Sequence, residues 1–355
     1  MKWFAPLMIA LWLVAVSGQG YAQTPYGTML QRQSREKNRP LPPVVDQEEA
    51  DAQTLFGLLY SVDNIIPQDP REAMAINRQP AEKGDIKAQN TLGLIYREGL
   101  GVAQDYGEAV KWYRKAAEQG DSRAQVNLGW LYHEGLGVAK DGAEAVKWCR
   151  RAAEQGDVTA QFTLGLWYKN GDGVPRNRQE ALIWYRKAAE QGVDMASTLL
   201  CALYYDNLEA SPEDKEAVKW CLKAAEQGHN AMAQYRLGTL YRTSKTLPQD
   251  QREAIKWLRK AAEQGLSEAQ FQLGLAYQDG TGGLSGDHKE AVTWYRKAAY
   301  QGHVNAQVRL GTIYLTDHEI PHNPKEAVKW LKKAAEQGNA TAQIQLKVLQ
   351  ESAMP

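Results

Sequence analysis

Apolar positions recur along most of the chain with the period of an α-helix. Between residues 123 and 134 they fall at i, i+4, i+5 and i+8, which places them on one helix face. Those positions are Ala124, Leu128, Gly129 and Tyr132. After the glycine-rich turn "EGLGV", a second amphipathic segment begins with a capping box at Asp141 and Glu144 and ends at Gly156. The pattern predicts two antiparallel helices joined by a tight turn.

This pair of helices is repeated along the chain. The motif "AEQG", or a close variant, ends at glycines 36 or 37 positions apart: Gly84, Gly120, Gly156, Gly192, Gly228, Gly265, Gly302 and Gly338. Neither helix of a unit can bury its apolar face alone, so stacked neighbours share one continuous core and the array forms a solenoid. We predict an all-α fold, an α/α solenoid of about eight 36-residue helix pairs plus a C-terminal capping helix.

Two recurring residues of the unit need a packing explanation. A glycine in the middle of the first helix costs about 1 kcal/mol of helix propensity, so its recurrence predicts that a neighbouring helix passes too close for a side chain. A tryptophan recurs in the second helix, and a ladder of tryptophans could bind a ligand. Its regular spacing favours packing between repeats. The ladder comprises Trp112, Trp148, Trp184, Trp220, Trp257, Trp294 and Trp330.

Both ends of the array depart from the repeat. Residues 50–64 copy the first helix, but Pro80 is expected to interrupt the second helix of that unit. Residues 339–350 form a lone first helix, in which Lys347 takes the place of the glycine.

The N-terminal segment differs in composition from the rest of the chain. Its apolar run from Trp3 to Val16 is too short to span a bilayer, and Gly20-Tyr21-Ala22 fits a signal-peptide cleavage site. We expect a signal peptide at residues 1–22, cleaved after about Ala22; an uncleaved membrane anchor is the alternative. Residues 23–46 read as a flexible linker or a proline-motif ligand, and residues 47–353 as the solenoid. The expected location is the periplasm or the cell exterior.

The charge and cysteine content narrow the possible partners. Lysine plus arginine and aspartate plus glutamate number 42 each, so we expect no nucleic-acid partner and no membrane insertion of the mature chain. With only Cys149, Cys201 and Cys221, the chain is not a disulfide scaffold. Cys201 and Cys221 fall on the paired helices of one unit, where a bridge is sterically conceivable; buried free cysteines are the alternative.

Unit after unit, the pattern A-Q-x-x-L-G-x-x-Y…G-x-G-V…E-A-x-x-W-x-x-K/R-A-A-E-Q-G resembles the Sel-1-like repeat family, a branch of the tetratricopeptide-like helical repeats. The resemblance covers residues from about 49 to 350. It implies a right-handed superhelix whose concave groove is lined by first helices, and a role in protein–protein interaction. Cysteine-rich secreted members of that family link paired helices by disulfides, although with different spacing.

One segment, His318 to His322, matches the H-E-x-x-H pattern of helical zinc proteases. In the repeat register it aligns with the turn "GDGVPRN" at residues 171–177, with Ile320 as an apolar anchor. Because Pro321 would break a helix there, we expect a turn and no protease site. An adventitious surface metal site formed by the two histidines stays open.

A second catalytic pattern, Ser34-x-x-Lys37, matches the S-x-x-K of serine β-lactamases. It lies in the predicted linker, and neither S-D-N nor K-T-G occurs. Some secreted relatives of the resembled family have been suggested to handle β-lactams, so a β-lactam-binding or weak β-lactamase-like protein is the alternative function. We predict no enzyme, no catalytic residue, no metal and no cofactor.

The remaining candidate is a binding groove on the outward side of the first helices. Residues there vary between units, and several are apolar at positions expected to be exposed. We predict that the groove of an exported, non-catalytic scaffold or adaptor binds a partner protein in envelope regulation, assembly or host interaction. The alternative is that these side chains seal contacts between helices. The groove residues are Val126, Trp130, Phe162, Tyr205, Tyr235, Phe271 and Val308, with the cations Arg97, Arg123, Lys169 and Arg242.

Overall fold

The computed structural model describes residues 70–206, 214–226, 230–243 and 249–352. The predicted signal peptide, the linker with its Ser34-x-x-Lys37 motif, and the first-helix copy at residues 50–64 therefore lie outside the described residues. Within the described ranges the chain forms sixteen α-helices and no β-strand, which confirms the all-α prediction.

The chain divides into two compact units, residues 1–193 and 194–355. In the described part of the first unit, each helix packs against the next one along the chain. The helices are α1 (Pro70–Glu82), α2 (Ile86–Glu98), α3 (Tyr106–Glu118), α4 (Ser122–Glu134), α5 (Gly142–Glu154), α6 (Val158–Asn170) and α7 (Arg178–Glu190).

The second unit repeats this arrangement of consecutive packed helices. Even-numbered helices are the first helices of their repeats, and odd-numbered helices are the second. α16 is a first helix with no described second helix after it. The helices are α8 (Asp194–Tyr205), α9 (Asp214–Glu226), α10 (Ala231–Thr243), α11 (Gln251–Glu263), α12 (Ser267–Asp279), α13 (His288–Tyr300), α14 (Val304–Thr316), α15 (Pro324–Glu336) and α16 (Ala340–Ser352).

The helix ends follow from the capping residues of the repeat. Asp121 accepts a hydrogen bond from the Ala124 amide at 2.7 Å and so begins α4. Gly135 ends α4 in the left-handed conformation with φ 74°, which glycine adopts without a Cβ penalty. Asp141 then caps α5 by accepting from the Glu144 amide at 3.0 Å. Capping residues near the helix ends thus set the length of α4 and the start of α5.

Pro80 does not interrupt α1, contrary to the expectation from sequence. It stands in the last turn, and α1 continues to Glu82. A proline there removes a single backbone donor and clashes with only one upstream turn, so the helix tolerates it. The neighbouring Ala81 is buried in the core.

The mid-helix glycines mark the closest approach of paired helices, as predicted. A Cβ on Gly93 would lie 2.5 Å from the ring of Tyr113, and a Cβ on Gly165 would lie 2.5 Å from the ring of Tyr185. Such distances exclude a side chain. The predicted packing role of the tryptophans is also confirmed, because all of the ladder is buried except Trp112, which is partly buried.

Candidate interaction surface

The outer side of the second helices mostly carries the same charged pair, although Ala75, Ile183 and Thr293 replace its lysine in α1, α7 and α13. In the first unit Lys147 pairs with Glu144 at 3.0 Å, and in the second unit Lys256 pairs with Glu253 at 3.0 Å. A lysine or arginine also lies over most of the tryptophan rings; Lys187, for example, sits 4.4 Å from the centroid of Trp184. Exposed pairs of this kind contribute little to stability and make a solvated face.

The first helices present a different surface, here called the first-helix face: the solvent-side positions of α2, α4 and α6 in the first unit, and of the even-numbered helices of the second unit. Two predicted groove residues do not belong to it. Val126 and Phe162 are 3% and 0% exposed, and Phe162 packs on the ring of Tyr185 with centroids 5.7 Å apart. Both side chains close the seam between neighbouring helices, so their predicted exposure was wrong.

The other five apolar groove residues are half-buried. Phe271 shows why: its ring lies 5.7 Å from Tyr295 and stacks on His303 at 4.6 Å, which leaves only part of the side chain accessible. These residues therefore contribute to helix packing and to the surface together, and they are less exposed than the sequence predicted. They are Trp130, Tyr205, Tyr235, Phe271 and Val308.

The predicted cations separate into two groups. Arg97 bonds to the side chain of Asn127 at 2.8 Å, and Arg242 bonds to that of Gln272 at 2.7 Å. Each bond joins the first helix of one repeat to the first helix of the next, so part of each guanidinium holds neighbouring repeats together. Arg123 is exposed and Lys169 is half-buried on the first-helix face.

A stacked pair that sequence reasoning did not single out joins α4 to α6 in the first unit, with His133 half-buried and Trp167 buried. The imidazole of His133 is parallel to the indole of Trp167, with ring centroids 4.7 Å apart and an interplanar angle of 5°. Nδ1 of His133 is 2.9 Å from Oε1 of Glu134. Trp167 takes the place held by Leu131 one repeat earlier, and that aromatic substitution is the sequence signal that could have revealed the pair.

A ladder of buried glutamines connects successive repeats and was also missed. Gln125 donates to the carbonyl of Ala117 in the preceding second helix at 3.1 Å, and its own carbonyl accepts from Gln155 at 2.9 Å. The second unit repeats the arrangement, with Gln270 bonded to Ala262 and Gln301. Both glutamines stand in the repeat pattern, at "AQ" and at "EQG", so their periodicity was the available signal.

The Cys149 thiol is poorly suited to act as a nucleophile. Burial raises the pKa of the Cys149 thiol, and the charge of Asp157 adds to this, so the sulfur stays protonated and is a poor nucleophile. Across residues 70–206, 214–226, 230–243 and 249–352, no group of three or more His, Cys, Asp or Glu side chains could hold a metal ion. His318 and His322 lie exposed in the turn between α14 and α15, where Ile320 is buried as its anchor, as the repeat register predicted.

Cys201 and Cys221 form a disulfide between α8 and α9, with their Cα atoms 4.6 Å apart. Cys149 is a buried free cysteine.

None of the helices in the described ranges is long and apolar enough to cross a membrane.

Comparison with known proteins identifies the repeat. The model of the Sel1 repeat matches seven consecutive segments: residues 86–121, 122–157, 158–193, 195–229, 231–266, 267–303 and 304–339. Proteins built from this repeat generally act as protein–protein interaction scaffolds, and the family is mostly non-catalytic. No curated protein matches the chain.

Two solved structures are similar over most of the chain. A protective antigen of uropathogenic Escherichia coli, which displays an SLR fold, is 36% identical, with a TM-score of 0.65 over 92% of this chain and 68% of that one. A Sel1 repeat protein from Oxalobacter formigenes is 32% identical, with a TM-score of 0.55 over 97% of this chain and 93% of that one.

Proposed function

Because this chain belongs to the Sel1 repeat family, we propose that it is an exported, non-catalytic scaffold or adaptor that binds a partner protein along its first-helix face. The observation that carries the proposal is the contrast between the two faces. Most second helices repeat the same Glu–Lys pair, with Ala75, Ile183 and Thr293 as the exceptions, whereas equivalent positions of successive first helices hold different chemistry: Arg97, His133 and Lys169. A surface that varies from repeat to repeat can select one partner better than a surface that mostly repeats the same charged pair.

The partly accessible aromatic side chains of this face can also supply binding energy. Trp130 is half-buried on α4, three residues before His133, and large, rigid side chains of this kind dominate binding energy at interfaces. Arg123 and Lys169 supply cations at the same surface. We infer a partner that presents an apolar ridge flanked by acceptor groups.

Export is part of the proposal. The buried Cys201–Cys221 disulfide supports it, because such bonds persist in oxidising compartments and are rare in the cytosol. The apolar run between Trp3 and Val16, followed by the small residues ending at Ala22, supports a cleaved signal peptide. Mass spectrometry of the mature protein tests this: a chain that begins at Gln23 is expected, and a chain that begins at Met1 contradicts export by cleavage.

Partner capture with matched variants tests the binding face. The protein is immobilised and exposed to envelope extract and to host-cell lysate, and bound proteins are identified by mass spectrometry. The double variant Trp130→Ser/Lys169→Glu is expected to lose the partner that the wild type retains. The control Lys111→Ser/Lys147→Glu changes the second-helix face of the same unit and is expected to retain it. Equal loss or equal retention by the two variants, with unchanged circular dichroism, contradicts the proposal.

A further inference from the structure

A depression of about 360 Å³ lies in the second unit, where α12, α13 and α14 meet the turn after α14. Its volume is in the lower range of ligand pockets and suits one or two side chains of a bound segment. Most of the lining residues have polar side chains, although carbon atoms supply more of the lining surface than polar atoms do. These residues include Gln278, His288, Arg309, Thr312, Asp317 and Glu319.

Arg309 does not make the hydrogen bond that residues at the same position make in two other repeats. The equivalent residues Asn127 and Gln272 each accept a hydrogen bond from an arginine of the preceding first helix. Here the preceding first helix supplies Gln278, whose carbonyl oxygen already accepts from the Tyr295 hydroxyl at 2.8 Å. The exposed Arg309 makes no hydrogen bond or ion pair within the ranges that the structure describes, so its guanidinium keeps its donors for a ligand.

The rim of the depression is held in one shape. Asp317 replaces the left-handed glycine that ends other first helices and has an ordinary φ of −78°. Its carboxylate accepts from the backbone amides of Glu319 at 2.8 Å and Ile320 at 3.1 Å, and it contacts Nδ1 of His288 at 2.5 Å. With Ile320 buried beneath it, the turn presents Glu319 at a fixed place beside the pocket.

The donors left in the pocket determine the ligand chemistry. The hydroxyl of Thr312 donates to the carbonyl of Val308, and the hydroxyl of Thr316 donates to that of Thr312, so neither proton is available. The charge of His288 is balanced by Asp317. The Arg309 fork and the Gln278 amide N–H groups remain as donors beside the exposed imidazole of His318, and the Arg309 fork matches a planar carboxylate.

We propose that this pocket binds a carboxylate of the partner protein, with Arg309 as its bidentate donor and Gln278 as a second donor. The carboxylate comes from an acidic side chain or from the C-terminus of the bound segment. Glu319, on the rim, accepts from an N–H group of the same segment. This inference rests on the proposed partner-binding function and assigns the chemistry of one subsite.

Nitrogen-edited NMR of the full mature chain with three short peptides tests the subsite. One N-acetylated, C-amidated peptide carries a single glutamate; the second carries glutamine and a free C-terminal carboxylate; the third carries glutamine and is amidated. Saturable shifts of the Arg309 Nε–H and the Gln278 side-chain amide are expected with at least one carboxylate peptide and absent with the neutral one. The peptide that binds identifies the source of the carboxylate.

Two variants make the outcome specific to Arg309. Arg309→Gln is expected to weaken binding by about tenfold or more, while Lys332→Gln, an exposed cation on α15, leaves it unchanged. Should Arg309→Gln unfold, Arg309→Lys replaces it, and a weakened affinity is expected because lysine lacks the fork. Binding of the neutral peptide, equal binding by the arginine variant, or no shift with either carboxylate peptide overturns the subsite. A partner still captured through the first-helix face would then leave the proposed function standing.

Discussion

Gly129 and Cys149 stand in one repeat where Cys201 and Cys221 stand two repeats later. A Cβ on Gly129 would lie 2.7 Å from Sγ of Cys149, and the later pair is a disulfide. Both pairs are separated by 20 positions in sequence and occupy the closest approach of a first and a second helix. The disulfide therefore replaces the glycine contact that other repeats use at this place.

Gly129→Cys is expected to form a second disulfide with Cys149, because the new Cβ lies within bridging reach of that sulfur. Thiol counting under denaturing, non-reducing conditions should find one free thiol in the wild type and none in the variant. In a Cys149→Ser background, the same change should leave one free thiol. A free thiol retained in Gly129→Cys after oxidation would show that the helices are further apart than described.

The glutamine ladder is expected to stabilise the stack measurably. Gln125→Leu removes two hydrogen bonds, one to the buried Ala117 carbonyl and one from the exposed Gln155 amide, which should cost about 1 kcal/mol of unfolding free energy. Gln343 is the matched control, since it is exposed and its bond to Ala335 is 3.5 Å long. Urea unfolding should show a change within about 0.5 kcal/mol for Gln343→Leu. An equal loss of unfolding free energy in the two variants would show that the buried glutamine bonds do not stabilise the array.

Phe162 is expected to act through stability and not through partner contact. The side chain is 0% exposed and packs on Tyr185, so Phe162→Ala should cost about 3–5 kcal/mol of unfolding free energy. Trp130→Ala should cost less, because the indole is half-buried. Thermal and urea unfolding of the two variants gives the comparison. A larger loss for Trp130→Ala would reverse the roles assigned to these two aromatic residues.

The His288–Asp317 pair is expected to stabilise the second unit most under mildly acidic conditions. The hydrogen bond that His288 donates to Asp317 raises the pKa of His288 above its usual 6.5, so this contribution is complete below about pH 6.5 and is lost as the pH rises through the raised value. Glu319 and Asp287, the neighbouring acids, act in the same direction.

The pKa of Asp317 sets the lower end of the pH range in which the His288–Asp317 pair is stabilising. Burial raises the pKa of its carboxyl, but the hydrogen bonds from His288 and from the Glu319 and Ile320 amides outweigh burial, and the pKa lies below its usual 3.8. Its contribution is therefore lost only as the pH falls through that lowered value. His288→Gln should reduce the urea midpoint more at about pH 5.5 than at about pH 9. A deficit that is the same at both pH values would exclude the charged pair.

The fold was predictable because every local signal repeats. Each repeat carries the same local signals for a helix pair: a cap such as Asp141, a mid-helix glycine such as Gly129 and a ladder tryptophan. Local sequence therefore predicts the helices with little need for tertiary information. The turn at His318–His322 was predictable for the same reason: its register was fixed by neighbouring repeats. Pro80 shows the limit, since the cost of a proline depends on its place in the turn.

The candidate site was less predictable than the fold. When a position varies between repeats, its side chains do not all make the same packing contact. The variation does not reveal whether those side chains are exposed to solvent. Val126 and Phe162 vary because the partners they pack against vary, and only coordinates separate this from variation at a binding surface. The His133–Trp167 stack and the unpaired Arg309 depend on contacts between repeats, which the spacing within one repeat does not reveal.

Site-specific photo-crosslinking in the producing cell tests the central claim, that a partner protein binds the first-helix face. A photoreactive phenylalanine derivative is placed at Trp130, Lys169 or Val308 on first helices, and at Lys147 or Lys256 on second helices. We predict a crosslinked adduct of one defined mass from first-helix positions and none from second-helix positions. The same adduct from both faces, or an adduct from the second helices alone, would contradict it.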